Sequence, residues 1–197
     1  MAQSQTVPST WTIEMLEALP DDGWRYELVE GRLVRMPPPG YDHGDVGENI
    51  AYALSSHVRA HHLGKVVVGE TGWDLTRPGE KDDTVQASDL AFLRVDRLPP
   101  PPPRKGTTYR PLAPDLVVEI ASPSQFGRED LDDKARRWID RGVRLVWMVW
   151  PDRKAVDVWE SAADMPRSLP GQDELDGGAV MPGFRLPLPI IWGGHPY

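Results

Sequence analysis

The chain has 197 residues, with 22 basic against 30 acidic side chains, a formal charge of −8, five histidines and no cysteine. This length suits one domain with a buried core, and the lack of cysteine excludes disulfides, thiol nucleophiles and Cys-ligated zinc or iron–sulfur centres. The acidic balance argues against coating nucleic acid with the whole surface; with no apolar run near 18 residues and no basic-then-apolar leader, a cytoplasmic protein without a membrane segment is expected.

Residues 1–11 are polar and aperiodic and read as a flexible tail, which leaves 12–197 as the domain. Thr12 is placed to cap a short helix through Leu19, closed by Pro20 and Gly23. The stretch Trp24 to Met36 reads as a hairpin turning at Glu30-Gly31. From Asp45 to His62 the apolar residues Val46, Ile50, Ala53, Leu54 and Val58 recur at helical spacing, and Gly64 is expected to end that helix. Strands are expected at 66–68, 73–76 and 89–93, and Pro99 to Pro103 reads as a stiff surface loop. Leu116 to Ala121 is continuously apolar except for Glu119, the pattern of a central strand buried on both faces. A helix from Arg128 to Arg141 carries Leu131, Ala135, Trp138 and Gly142 on one stripe, and strands at 143–149 and 155–159 turn at Pro151-Asp152. The fold class is α/β or α+β, a single domain with one sheet and about three helices.

Glu119 is the sharpest irregularity, because an unpaired charge in an apolar layer costs several kcal/mol or more and has to be neutralised, paired or bound to a metal. Asp89 repeats the theme at the head of Asp89-Leu90-Ala91-Phe92-Leu93. A structural ion pair or an edge carboxylate would account for either. Lys134 falls on the flank of the core-facing helical stripe, where an ammonium needs an anionic partner; Asp130, one turn earlier, would serve as a surface pair. Should Asp, Glu and Lys enter one pocket, they would make a cation site with a lysine positioned to manage a water. Hard oxygen ligands without cysteine favour Mg²⁺ or Mn²⁺ over zinc.

The succession of Tyr26-Glu27-Leu28-Val29-Glu30-Gly31, the PPPGYDH segment at 37–43, the Asp89 strand, PDLVVEIASPS at 114–124, a helix bearing Lys134, and GVRLVWMVWP at 142–151 resembles the Uma family. These are endonucleases predicted from bacterial genomes and placed in the restriction-endonuclease-like PD-(D/E)XK superfamily. The resemblance covers roughly Thr12 to Leu188. It implies a mixed central sheet flanked by helices and a Mg²⁺-dependent (or Mn²⁺-dependent) phosphodiesterase centre acting on nucleic acid, DNA first. By position, Asp89 and Glu119 match the family's metal-binding carboxylates, Lys134 matches a lysine on the following helix, and Glu27 matches a carboxylate that could join the metal shell. His43 matches a recurrent histidine, with helix entry as its plainer role. The chain departs from the superfamily pattern at Ser88, where proline precedes the Asp, and at Ala121, where lysine is usual.

Between Arg104 and Arg144 nine basic residues stand against seven acidic ones, and Arg104, Lys105, Arg110, Arg128, Arg136, Arg137, Arg141 and Arg144 are available for phosphates; a solvated helix face explains Arg136 and Arg137 equally well. His57 and His61 have zinc-compatible spacing but no third ligand, and read as structural. The chain has eight tryptophans, and Trp147, Trp150 and Trp159 lie in a late strand pair expected to leave some of them exposed, which favours a homodimer. The alternative to an endonuclease is a catalytically inactive nuclease fold that binds or interacts.

Overall fold

The computed structural model describes residues 9–122, 128–161 and 165–193, with backbone alone for 128–130. Helix α1 (Ile13–Glu17) opens with Thr12 as N-cap, its hydroxyl accepting from Met15 N at 3.4 Å. Strands β1 (Arg25–Val29) and β2 (Arg32–Met36) form the expected hairpin, with Glu30 and Gly31 both at positive φ (49° and 71°) as a tight two-residue turn requires. Of the expected tail, residues 1–8 lie outside the described residues, while Trp11 N donates to Gly31 O at 2.8 Å.

Helix α2 (Tyr41–Ala60) starts four residues earlier than its apolar pattern. Its first turn is polar and contains Gly44, so periodicity alone could not see it. Gly64 does not end this helix. His62 supplies the left-handed residue (φ 52°), and Gly64 instead opens β3 (Gly64–Asp74) at φ 152°, where a Cβ would fall 1.9 Å from Leu93 O. The two short strands expected at 66–68 and 73–76 are this one strand, interrupted by a bulge at Gly69-Glu70.

Strands β4 (Val85–Arg94) and β5 (Leu116–Ile120) follow, then α3 (Arg128–Asp140), β6 (Leu145–Trp150), β7 (Ala155–Glu160) and β8 (Arg167–Pro170). A small pair, β9 (Glu174–Asp176) and β10 (Arg185–Pro187), and the short α4 (Leu188–Ile191) follow; segments of three or four residues carry too little periodicity to read from sequence. The main sheet runs β2-β1-β4-β5-β6-β7-β8, with β3 also on β4. It is mixed: β5 and β6 are parallel, joined by the α3 crossover, and the other pairs are antiparallel.

Helices cover both faces. Val46, Ile50, Leu54 and Val58 of α2 pack with Leu90, Phe92, Val118 and Trp147. Leu131, Ala135 and Trp138 of α3 pack with Ala91, Val117, Val146 and Met148. Trp147, Trp150 and Trp159 are 0%, 4% and 3% exposed within the single chain, so these three offer no surface to a second copy. Among the described residues no helix is long and apolar enough to cross a membrane.

Candidate functional site

The sheet has a fork. β3 takes one edge of β4 along its whole length; the other edge pairs with β1 at Leu28↔Val85 and with β5 from Leu90↔Val118 onward. No register pair joins residues 86–89 to either strand, so backbone groups there have to find other partners. Side chains supply them. Ala87 N donates to Glu27 Oε1 at 3.0 Å, Ala87 O accepts from Lys134 Nζ at 3.1 Å, and on the facing strand Ile120 N donates to Asp89 Oδ2 at 2.7 Å.

The four residues singled out from the sequence are thereby brought together. Lys134 Nζ lies 2.8 Å from Glu27 Oε1 and 3.0 and 3.1 Å from the two oxygens of Glu119. Asp89 lines the same cavity, which has a volume of about 220 Å³. Glu27, Glu119 and Lys134 are 2%, 5% and 7% exposed. Lys134 reaches this point because it sits on the flank of the α3 stripe, one residue before the fully buried Ala135. Its partners are therefore carboxylates on strands; the Asp130 side chain lies outside the described residues. Ala121, where the superfamily has lysine, brings only a methyl group, and Lys134 delivers the ammonium to Glu119 from the helix instead. Ser88 is also accounted for: its hydroxyl, 1% exposed, accepts from Trp73 Nε1 at 3.0 Å.

Two further groups hold the carboxylates. Trp138 Nε1 donates to Glu119 Oε1 at 2.7 Å, and His43 Nε2 is 3.1 Å from Asp89 Oδ1. His43, in the first turn of α2, thus faces the site. Two buried carboxylates share one ammonium, with Asp89 close by, and the shortage shows on Glu119. Burial raises its carboxyl pKa, Lys134 opposes this, and the nearby charges of Asp89 and Glu27 add to the rise, which ends at about 8. Burial works against the Lys134 ammonium too, but Glu119 and Glu27 outweigh it and hold Lys134 above the usual lysine range.

Sequence reasoning missed Arg25 and Glu70 on the cavity wall. Glu70 is aimed there by the β3 bulge, for which the only cue was an isolated Gly69 in a strand pattern. The arginines available for phosphates lie elsewhere: among the described side chains, no arginine from 104–144 lines the cavity. Arg104 forks onto buried Asp74 (2.5 and 2.7 Å), Arg144 binds Asp115 at 2.8 Å, and Arg141 pairs with Glu80. The first pair braces a loop to the end of β3, and the other two tie connecting segments to one another. His57 is likewise structural, its Nε2 lying 3.1 Å from Pro182 O. Among the described residues no group of three or more His, Asp or Glu side chains forms a ready-made metal cage.

A family model described as "Uma2: Putative restriction endonuclease" matches residues 13–189. The fold is also similar to the crystal structure of "a putative nuclease belonging to DUF820" from Anabaena variabilis ATCC 29413, with a TM-score of 0.75 at 17% identity over 94% of this chain and 98% of that one. No curated protein matches the chain in sequence.

Proposed function

The chain belongs to the Uma2 family, and from that membership we propose that it is a Mg²⁺- or Mn²⁺-dependent endonuclease hydrolysing phosphodiester bonds of nucleic acid, DNA first. The observation that carries this reading is the convergence of Asp89, Glu119, Glu27 and Lys134 on one cavity at the sheet fork, with more buried carboxylate than cation. Such a donor set suits Mg²⁺, which is held by one or two carboxylates and completes its shell with water and phosphate oxygens. Asp89 and Glu119 would hold the ion. When bound, it polarises the scissile phosphate and makes a water nucleophilic at neutral pH.

The chain's own residues prepare that site. Ile120 N and His43 fix the two oxygens of Asp89, so its carboxylate is oriented before any ion arrives. Trp138 does the same for Glu119. Glu27 spends Oε1 on Lys134 and Ala87 N, which makes it the positioning residue of the lysine. Lys134 keeps its proton and sets a fixed positive charge beside the position where the phosphate gains negative charge.

The test is cleavage of mixed DNA and RNA substrates with Mg²⁺, with Mn²⁺ and in chelator, by the wild type and by Asp89→Asn. Metal-dependent cutting that the variant loses supports the proposal; a wild type that cuts nothing, or a variant that cuts equally well, overturns it. A fold that binds without cutting is favoured by one observation, the full set of acceptors already on Lys134. It predicts no cleavage in this experiment, with a labelled oligonucleotide still bound in chelator.

A further inference from the structure

Among the described residues, Arg25 is the other cation on the cavity wall. Lys134 is committed to Glu27, Glu119 and Ala87 O. The Arg25 guanidinium is aimed by two bonds to Pro37 O, from Nε at 3.1 Å and NH2 at 3.0 Å, and its NH1 pairs with Glu70. The two side chains are 22% and 25% exposed, so this pair is neither sealed in the core nor loose in water, and its partner can be exchanged without opening the fold.

Glu70 reaches Arg25 by an unusual route. The β3 register jumps from Val68↔Leu90 to Thr71↔Ser88, leaving Gly69 and Glu70 bulged opposite Asp89. Both have positive φ, 86° and 54°. A left-handed non-glycine residue costs roughly 1 kcal/mol or more, and the strain turns a carboxylate toward the cavity. There it meets a guanidinium whose planar fork suits phosphate as well as carboxylate.

We infer that Arg25 receives a phosphate of the substrate backbone, and that Glu70 is an anionic stand-in holding Arg25 ready until the substrate displaces it. This rests on the endonuclease reading and adds to it the group that recognises the polyanion. Pro37 O keeps the guanidinium in place during the exchange. The released Glu70 carboxylate stays at the cavity wall and opposes the incoming phosphate, so Glu70 sets substrate affinity by competition.

The experiment uses the full chain as wild type, Glu70→Gln, Arg25→Gln, Arg25→Lys and the double Gln variant. A labelled oligonucleotide, duplex and single strand, reports Kd by anisotropy in chelator; cleavage with Mg²⁺ reports KM and kcat. Glu70→Gln keeps the backbone strain and removes only the charge; it should tighten Kd and lower KM severalfold, with a smaller change in kcat. Arg25→Gln should weaken both by about tenfold or more and reduce the salt slope of binding by about one phosphate contact. In the Arg25→Gln background, Glu70→Gln should gain much less than in the wild type, because only the repulsion between Glu70 and the phosphate is left to relieve. If Arg25→Gln does not fold, Arg25→Lys and Glu70→Gln decide. A wild type that cuts while Glu70→Gln leaves Kd and KM unchanged, or worsens them, overturns this inference alone and makes the pair structural. A wild type that neither binds nor cuts overturns the endonuclease reading as well.

Discussion

Replacing Glu119 by Gln and unfolding the protein in chelator isolates the charge that the site struggles to keep. The carboxyl titrates at about 8 in the folded chain against an ordinary 4.5. The folded state therefore holds a proton that the unfolded chain has released over that interval, and metal-free stability falls as pH rises through it. Each pKa unit is worth about 1.4 kcal/mol, so the wild type should lose roughly 3 kcal/mol between pH 5 and pH 8 on this account. Gln cannot titrate and does not share the loss. Lys134 does not enter this window: its pKa is raised above 10.5, so what it contributes is whole below that value and lost only above it. Nor does the variant orphan the ammonium, which keeps Glu27 at 2.8 Å and Ala87 O at 3.1 Å. The cost of about 3–5 kcal/mol for an uncompensated buried charge is thus not expected. Urea unfolding at pH 5, 6, 7 and 8 measures the difference between the two proteins, which should widen in favour of the variant as pH rises. A difference that stays flat, or narrows, would mean that Glu119 is ionised throughout and that the reasoning is wrong. Saturating Mg²⁺ should reverse the order, since an ion at a hundred times its Kd stabilises the wild type by about 3 kcal/mol and the variant hardly at all.

Lys134→Met removes the ammonium that buried Glu27 and Glu119 share, and should cost about 3–5 kcal/mol in urea at pH 7; a loss under 1 kcal/mol would show that the pairing is not what holds α3 to the fork. His43→Ala frees Asp89 Oδ1 and should weaken Mn²⁺ binding about tenfold by calorimetry, and an unchanged affinity would exclude His43 as the orienting group. Gly64→Ala drives a methyl into Leu93 O and should destabilise the fold by roughly 3 kcal/mol or more; a midpoint equal to the wild type's would refute the close approach of β3 and β4.

What could be read along the chain is what depends on near neighbours. The 3.6 period placed α2 and α3, a nearly unbroken apolar run placed β5, and the Glu30-Gly31 turn announced its hairpin, because each follows from local sterics and from the apolarity of near neighbours. Glu119 could be picked out because an acid inside an apolar strand is anomalous wherever its partner lies. Ion-pair partners are another matter. Lys134 finds Glu27 across 107 residues and Ala87 across 47, and Arg104 finds Asp74 across 30, through strand registers and crossings that no local pattern specifies. The same holds where one backbone excludes a side chain on another, as at Gly64, or where a bulge redirects one, as at Glu70. Sequence alone determined which residues would need partners, since the energetic penalty of a buried charge belongs to the residue and its immediate surroundings. Only the tertiary structure decided which partners they received, because hydrogen bonds and ion pairs act over about 3 Å, and distances that short are fixed by how the strands and helices assemble.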